Sequence, residues 1–163
     1  MRTVFTLMAA ALTATGCTVA GRSAGGGPDS VGDPRPAVVQ YVVDGDTIDV
    51  DVDGQEQRVR LLGIDTPEIA TVDRPGEPCG DEARQLMQEL IVAGDVTLRS
   101  DDAQPAEDKY GRTLAYVEAD GKDLGAELLA AGLAEVYQAA PDIARFAEYE
   151  QIRENAPQPE CAR

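Results

Sequence analysis

Histidine and tryptophan are absent from this chain, and its aromatic content is five Tyr and two Phe. Without His there is no imidazole to act as general base or zinc ligand, so His-based catalysis and zinc sites of the usual kind are excluded. Cysteine is scarce too: three residues, with no Cys-x-x-Cys pair. With so few rings, a core has to be built from Leu, Val, Ile and Ala. Cations are outnumbered, 14 Lys and Arg against 30 Asp and Glu, for a formal net charge of −16. So acidic a chain lacks the broad basic surface of most nucleic-acid binders. Charge beyond about 8 Å is largely screened at physiological salt, however, so a local cationic cleft remains workable.

The apolar run Val4 to Leu12 is too short to cross a bilayer. With Arg2 before it and small residues after it, residues 1–17 read as a secretion signal. Ala14-Thr-Gly-Cys17 resembles a bacterial lipobox, in which Cys17 would be lipidated and anchor the chain to the membrane. The alternative is an ordinary cleaved signal with an incidental Cys, and a secreted product. Residues 18–36, rich in Gly, Ser, Pro and Asp, read as a flexible tether, and 37–163 as one domain. If Cys17 carries lipid, Cys79 and Cys161 remain as an even pair outside the cytoplasm, where disulfides persist.

Within the domain, Val38 to Val43 is a run of β-formers that ends at Asp44-Gly45. From Thr47 the chain alternates, Ile48, Val50 and Val52 on one face and Asp49, Asp51 and Asp53 on the other, the period of a half-buried strand. Asp53-Gly54 turns it into a second strand, with Val59 and Leu61 on one face and Arg58 and Arg60 on the other. Residues 69–78, broken by Pro and Gly, read as a loop. Asp81 to Val92 carries the helical stripe Ala83, Leu86, Met87, Leu90 and Ile91. Strands are expected at Val96–Arg99 and Thr113–Val117, with an acidic loop over Asp101–Asp108 between them. Asp123 is placed to cap a short helix that ends at Gly132, and a last helix is expected over Pro141–Glu154. This pattern predicts an α+β, mainly β, fold.

Three segments carry chemistry: Asp44-Gly-Asp-Thr47, Arg60-Leu-Leu-Gly-Ile-Asp-Thr-Pro-Glu68 and Asp108-Lys-Tyr-Gly-Arg112. Together they offer carboxylates for a hard divalent cation, a carboxylate to activate water and two guanidiniums to clamp phosphate. Asp49 to Gly54 opens like an EF-hand loop but has Arg60 where the twelfth position needs Glu. Asp44 and Asp46 alone suit a turn; together with Asp65 they suit a metal site.

In this order and spacing, over about Val38 to Tyr137, the segments resemble the staphylococcal nuclease (thermonuclease) family. The resemblance implies a five-stranded OB-fold barrel with about three packed helices. It implies Ca2+ held by Asp46, Asp65 and the carbonyl of Thr66, with Glu68 as general base and Arg60 and Arg112 on the scissile phosphate. Lys109 and Tyr110 match residues that contact the terminal phosphate and sugar. Tyr137 either serves as a further stacking aromatic or packs in the core. The implied activity is hydrolysis of DNA and RNA, single strands preferred, at the 5′ P–O bond with 3′-phosphate products; the signal segment puts it outside the cytoplasm, and a monomer is expected. The family's type member ends in a longer helix and a buried Trp; here a Cys79–Cys161 bridge would tie down the tail instead.

Two other readings compete. A catalytically silent OB-type binding module on a lipid tether would be expected to have lost metal or base residues, whereas Asp46, Arg60, Asp65, Glu68 and Arg112 are all in place. An acidic Ca2+-binding surface lipoprotein leaves Arg60 and Arg112 unexplained.

Overall fold

A computed structural model describes residues 31–92 and 94–163. The signal, Cys17 and the first part of the tether lie outside the described residues. Strands β1 (Arg35–Val42), β2 (Thr47–Val52) and β3 (Gln55–Leu61) form an antiparallel meander, followed by the two-residue strand β4 (Ile64–Asp65). Helix α1 (Gly80–Val92) leads into β5 (Val96–Arg99) and β6 (Thr113–Ala119), which turns into β7 (Lys122–Asp123). Helix α2 (Leu124–Ala130), strand β8 (Glu135–Val136) and helix α3 (Phe146–Asn155) complete the chain, with a 3-10 turn at Glu160–Ala162.

The sheet order β3-β2-β1-β5-β6 closes on itself through a parallel pairing of β3 with β6. The result is a five-stranded barrel with three helices packed on it. Its lining comes from the alternation seen in the sequence: Ile48, Val50, Val59 and Val117 have no exposed surface, and Ala83 and Met87 of α1 are equally buried. Asp123 caps α2, its Oδ1 accepting from the amides of Gly125 and Ala126 at 2.9 and 3.3 Å.

Several details depart from the expected layout. The first strand begins three residues earlier, and Val31 bridges to Asp101, so residues assigned to the tether pack on the barrel. The β4–β8 pair was not anticipated; two-residue strands leave no periodic signal. The last helix starts at Phe146 rather than Pro141. The Ala144 amide donates to Asp101 Oδ2 and the Arg145 amide to the Tyr116 hydroxyl, which holds this stretch against the barrel. Asp101, the first residue of the expected acidic loop, is therefore buried. Cys79 and Cys161 form a disulfide that fixes the C-terminal turn to the start of α1.

Candidate active site

The turn between β1 and β2 is built by its own acids. Asp44 Oδ1 accepts from the Asp46 amide at 3.0 Å, and the amides of Val43 and Asp44 donate to the Thr47 carbonyl. Gly45 is required here by space: a Cβ would stand 2.8 Å from Ala83 Cβ and 2.9 Å from the Thr66 side chain. That close approach seats the turn against both α1 and the exit of β4.

Asp46 is the buried centre of the cluster, 5 % exposed. Its Oδ2 accepts from the Thr66 amide at 2.7 Å and the Thr66 hydroxyl at 3.0 Å; Oδ1 accepts from Thr47 Oγ1 and faces Arg60 Nε at 3.2 Å. Strand register accounts for the last contact, since Arg60 stands opposite Thr47. The rest of the guanidinium donates to the carbonyls of Leu61 and Ile64 and to Asp65 Oδ1, at 3.1, 2.8 and 2.6 Å. Gly63, at φ +77°, lets β3 bend into β4 so that Asp65 returns to Arg60; a Cβ there would meet Ile143 and Tyr149.

The acids of this cluster repel one another. Burial, then Asp46, then Glu68 push Asp44 up to about 6. Burial raises Asp65 as well, with Asp46 and Glu77 adding to it and Arg60 opposing. Oxygen-only donors carrying excess negative charge fit a hard divalent cation. Among the described residues no group of three or more Asp, Glu, Cys or His is arranged as a metal site. The protein's share would be Asp46, Asp65 and the Thr66 carbonyl, with water and substrate oxygens completing the shell.

Glu68 leaves the barrel at the head of the loop. Arg74 Nη2 donates to its Oε2 at 2.9 Å, and Glu77 locks the loop base: its amide donates to the Glu68 carbonyl and its carboxylate accepts from the Glu68 amide. Arg112 is set by a tight turn. Asp108 accepts from the backbone of Tyr110 and Arg112 and from Arg112 Nε at 2.8 Å. Burial raises the Asp108 carboxyl, but these donors outweigh it and hold the group below the usual range. Lys109 Nζ and the Arg112 guanidinium lie 4.9 and 5.5 Å from the Tyr110 ring centre.

A groove of about 600 Å3 collects these parts: Arg60, Asp65 and Glu68 from β3, β4 and the loop that follows, Lys109, Tyr110 and Arg112 from the loop before β6, and Tyr137 from just after β8. The parallel β3–β6 register places Leu114 beside Arg60, so Arg112, two residues earlier, faces the same way. Asp46 and Thr66 sit behind Arg60 as its support. Tyr137, 46 % exposed, follows β8 and donates its amide to the Gly63 carbonyl. The sequence reading missed Arg74 and Glu77 as partners of Glu68, because contacts within an irregular loop have no period. The Asp108–Arg112 pair did carry a signal: opposite charges four apart around Gly111.

Fold and site together define an OB-type barrel bearing a carboxylate and guanidinium groove suited to phosphodiesters. Residues 58–160 match the Staphylococcal nuclease homologue family, a range that contains Arg60, Asp65, Glu68 and Arg112 and leaves Asp46 outside it. The chain belongs to that family. It is 42 % identical over 97 residues to the thermonuclease of Staphylococcus intermedius, 60 % of this chain and 56 % of that one. It is 40 % identical over 116 residues to the thermonuclease of Staphylococcus hyicus, 71 % of this chain and 67 % of that one. With endonuclease YncB of Bacillus subtilis it shares 43 % identity over 94 residues, 58 % of this chain and 44 % of that protein. The chain thus spans between about two fifths and two thirds of the length of these relatives.

Proposed function

We propose that the chain is a metal-dependent nuclease, a hydrolase cutting phosphodiester bonds of DNA and RNA with Ca2+ as its working cation. The observation that carries this is one groove in which Arg60, Arg112 and Glu68 converge beside the Asp46–Asp65 cluster. Arg60 and Arg112 each present a planar fork to phosphate oxygens and stabilise the charge that develops on them. Each fork is held by a carboxylate, Asp65 for Arg60 and Asp108 for Arg112, so both are pre-oriented. Glu68 takes the proton from the attacking water: the chain has no His, Asp65 and Asp108 are engaged by Arg60 and Arg112, and among the described residues the only cation on Glu68 is the exposed Arg74. Asp46, Asp65 and the Thr66 carbonyl would hold a hard divalent cation, which when bound would supply positive charge for the phosphate oxygens. Lys109, Tyr110 and Tyr137 orient the adjoining nucleotide.

An unpaired strand enters such a groove without the cost of unpairing, which favours single strands, and the family resemblance adds 5′ P–O cleavage to 3′-phosphate products. The reading extends to an extracytoplasmic protein, lipid-anchored through Cys17 or secreted. The Cys79–Cys161 disulfide supports an oxidising compartment.

The test is digestion of denatured DNA by the full chain with Ca2+ or with chelator, beside Glu68→Gln. Ca2+-dependent cleavage, sharply reduced in the variant, upholds the reading. A folded wild type inert in every common divalent cation replaces it with a non-catalytic OB-type binding module.

A further inference from the structure

A second groove, of about 510 Å3, runs over the outer face of the barrel. It is lined by Tyr41 of β1, Asp49 of β2, Arg58 of β3 and, at its near end, Tyr110 and Arg112. The last two also line the candidate active site, so the two grooves adjoin at Tyr110 and Arg112. We propose that this outer groove is a base-stacking subsite for the nucleotides of a single strand that flank the scissile linkage, with Tyr41 and Tyr110 as its platforms. The inference rests on the nuclease reading and extends it to residues that carry no chemistry.

Three observations lead there. Of the chain's five Tyr, Tyr116 and Tyr149 go to the core and the exposed Tyr137 lines only the first groove, while Tyr41, at 54 % exposure, and Tyr110, at 71 %, line this one. Tyr41 is also held in place. Arg84 donates Nε to the Val42 carbonyl and Nη2 to the Tyr41 hydroxyl at 2.9 Å, and its guanidinium lies 5.3 Å from the ring centre. A ring fixed before binding loses little entropy on stacking. Finally, the charges of this groove cancel: Asp49 and Glu56 offset Arg58 and Arg112, and Arg58 is tied to Asp49 by two bonds of 2.7 and 2.8 Å. A groove without net charge gains little from phosphates, but two exposed rings with Gln40 and Gln57 beside them suit unpaired bases.

Oligonucleotides with a single cleavable linkage, extended residue by residue on the 5′ or the 3′ side, test this. Wild-type kcat/KM should rise about tenfold or more over the first extensions, on one side only. Tyr41→Ala should remove the part of that rise contributed by nucleotides reaching past Tyr110 while cutting the shortest substrate at the wild-type rate, and Tyr41→Trp should restore it. The length-dependent gain should hardly change with salt, because it comes from stacking. Equal length dependence in wild type and Tyr41→Ala, or equal gains on both sides, would overturn the subsite. A wild type that cuts none of the oligonucleotides would sink the nuclease reading instead. Anisotropy of the same labelled series then isolates the groove: length-dependent binding reduced in Tyr41→Ala upholds it, and unchanged binding overturns it.

Discussion

Two clusters of charge are built from the same residue types and behave in opposite ways. Beneath α3, Asp101, Glu118 and Asp123 meet Arg99 and Arg145. At the groove, Asp44, Asp46, Asp65 and Glu68 meet Arg60 and Arg74. In the first, Arg145 bridges Asp123 and Glu118, Arg99 holds Glu118 at 2.8 Å, and the hydroxyls of Tyr116 and Tyr149 donate to Asp101 and Asp123 at 2.5 and 2.7 Å. Burial pulls Glu118 upward, yet its two arginines hold it below the usual range; Arg145, although desolvated, is stabilised as a cation by Glu118 and Asp123. In the second cluster Asp44 and Asp65 are pushed up. One cluster satisfies its own charge and therefore supports the fold. The other keeps carboxyls that burial and neighbouring acids push up, so it is less well compensated and is the one of the two suited to an added cation.

The largest effect expected from breaking this contrast is on rate. Glu68→Gln should lower kcat by about 10²–10⁴-fold with little change in thermal midpoint, since Glu68 is half exposed and its loop is fixed through the backbone to Glu77. Arg145→Met is its mirror image. It leaves Glu118 and Asp123 short of a buried partner and should cost about 3–5 kcal/mol of stability, with kcat per folded molecule retained. Denaturant melts and active-site titration on both variants would separate the two. If Arg145→Met lost its rate before its stability, the division of labour between the clusters would be wrong.

Next in size is the Cys79–Cys161 bridge, which spans 82 residues of chain. Cys79→Ser with Cys161→Ser should lose about 2–4 kcal/mol. Gly80 packs so tightly on the Glu68 carbonyl that a Cβ would lie 2.5 Å from it, so loosening this junction should also lower kcat. Rate and melt together read both. For cleavage of short substrates, raising salt from about 50 to 200 mM should reduce kcat/KM steeply, because the Arg60 and Arg112 contacts are electrostatic. A flat profile would count against phosphate binding in the groove.

The barrel was legible because period-two alternation writes itself into Ile48, Val50, Val52, Val59 and Leu61, and α1 because its stripe recurs every three to four residues. The site segments were legible through local spacing: a turn of acids, an arginine on a strand and a Pro-stiffened carboxylate loop. What could not be read were partners distant in sequence. Nothing around Asp101 announces Tyr116 or Ala144, and nothing around Tyr41 announces Arg84, 43 residues away. The delayed start of α3 has the same origin: local sequence favours helix from Pro141, and long-range bonds to Asp101 and Tyr116 override it.

The smallest predicted effect sharpens the comparison most directly, because it gives the self-satisfied cluster a pH signature. The folded Glu118 carboxyl sits below its unfolded value, held there by Arg145 and Arg99. It therefore adds stability at every pH above the ordinary carboxylate range of about 4.3. That contribution disappears as pH falls through the folded value, at about 1.4 kcal/mol per unit of depression. Glu118→Gln should thus be less stable than wild type at pH 7, and the gap should close in acid as wild-type Glu118 protonates. Thermal melts of the two proteins from pH 7 to pH 2.5 would show the curves converging. Parallel curves would mean that the Arg145–Glu118 contact contributes shape to the core but not charge.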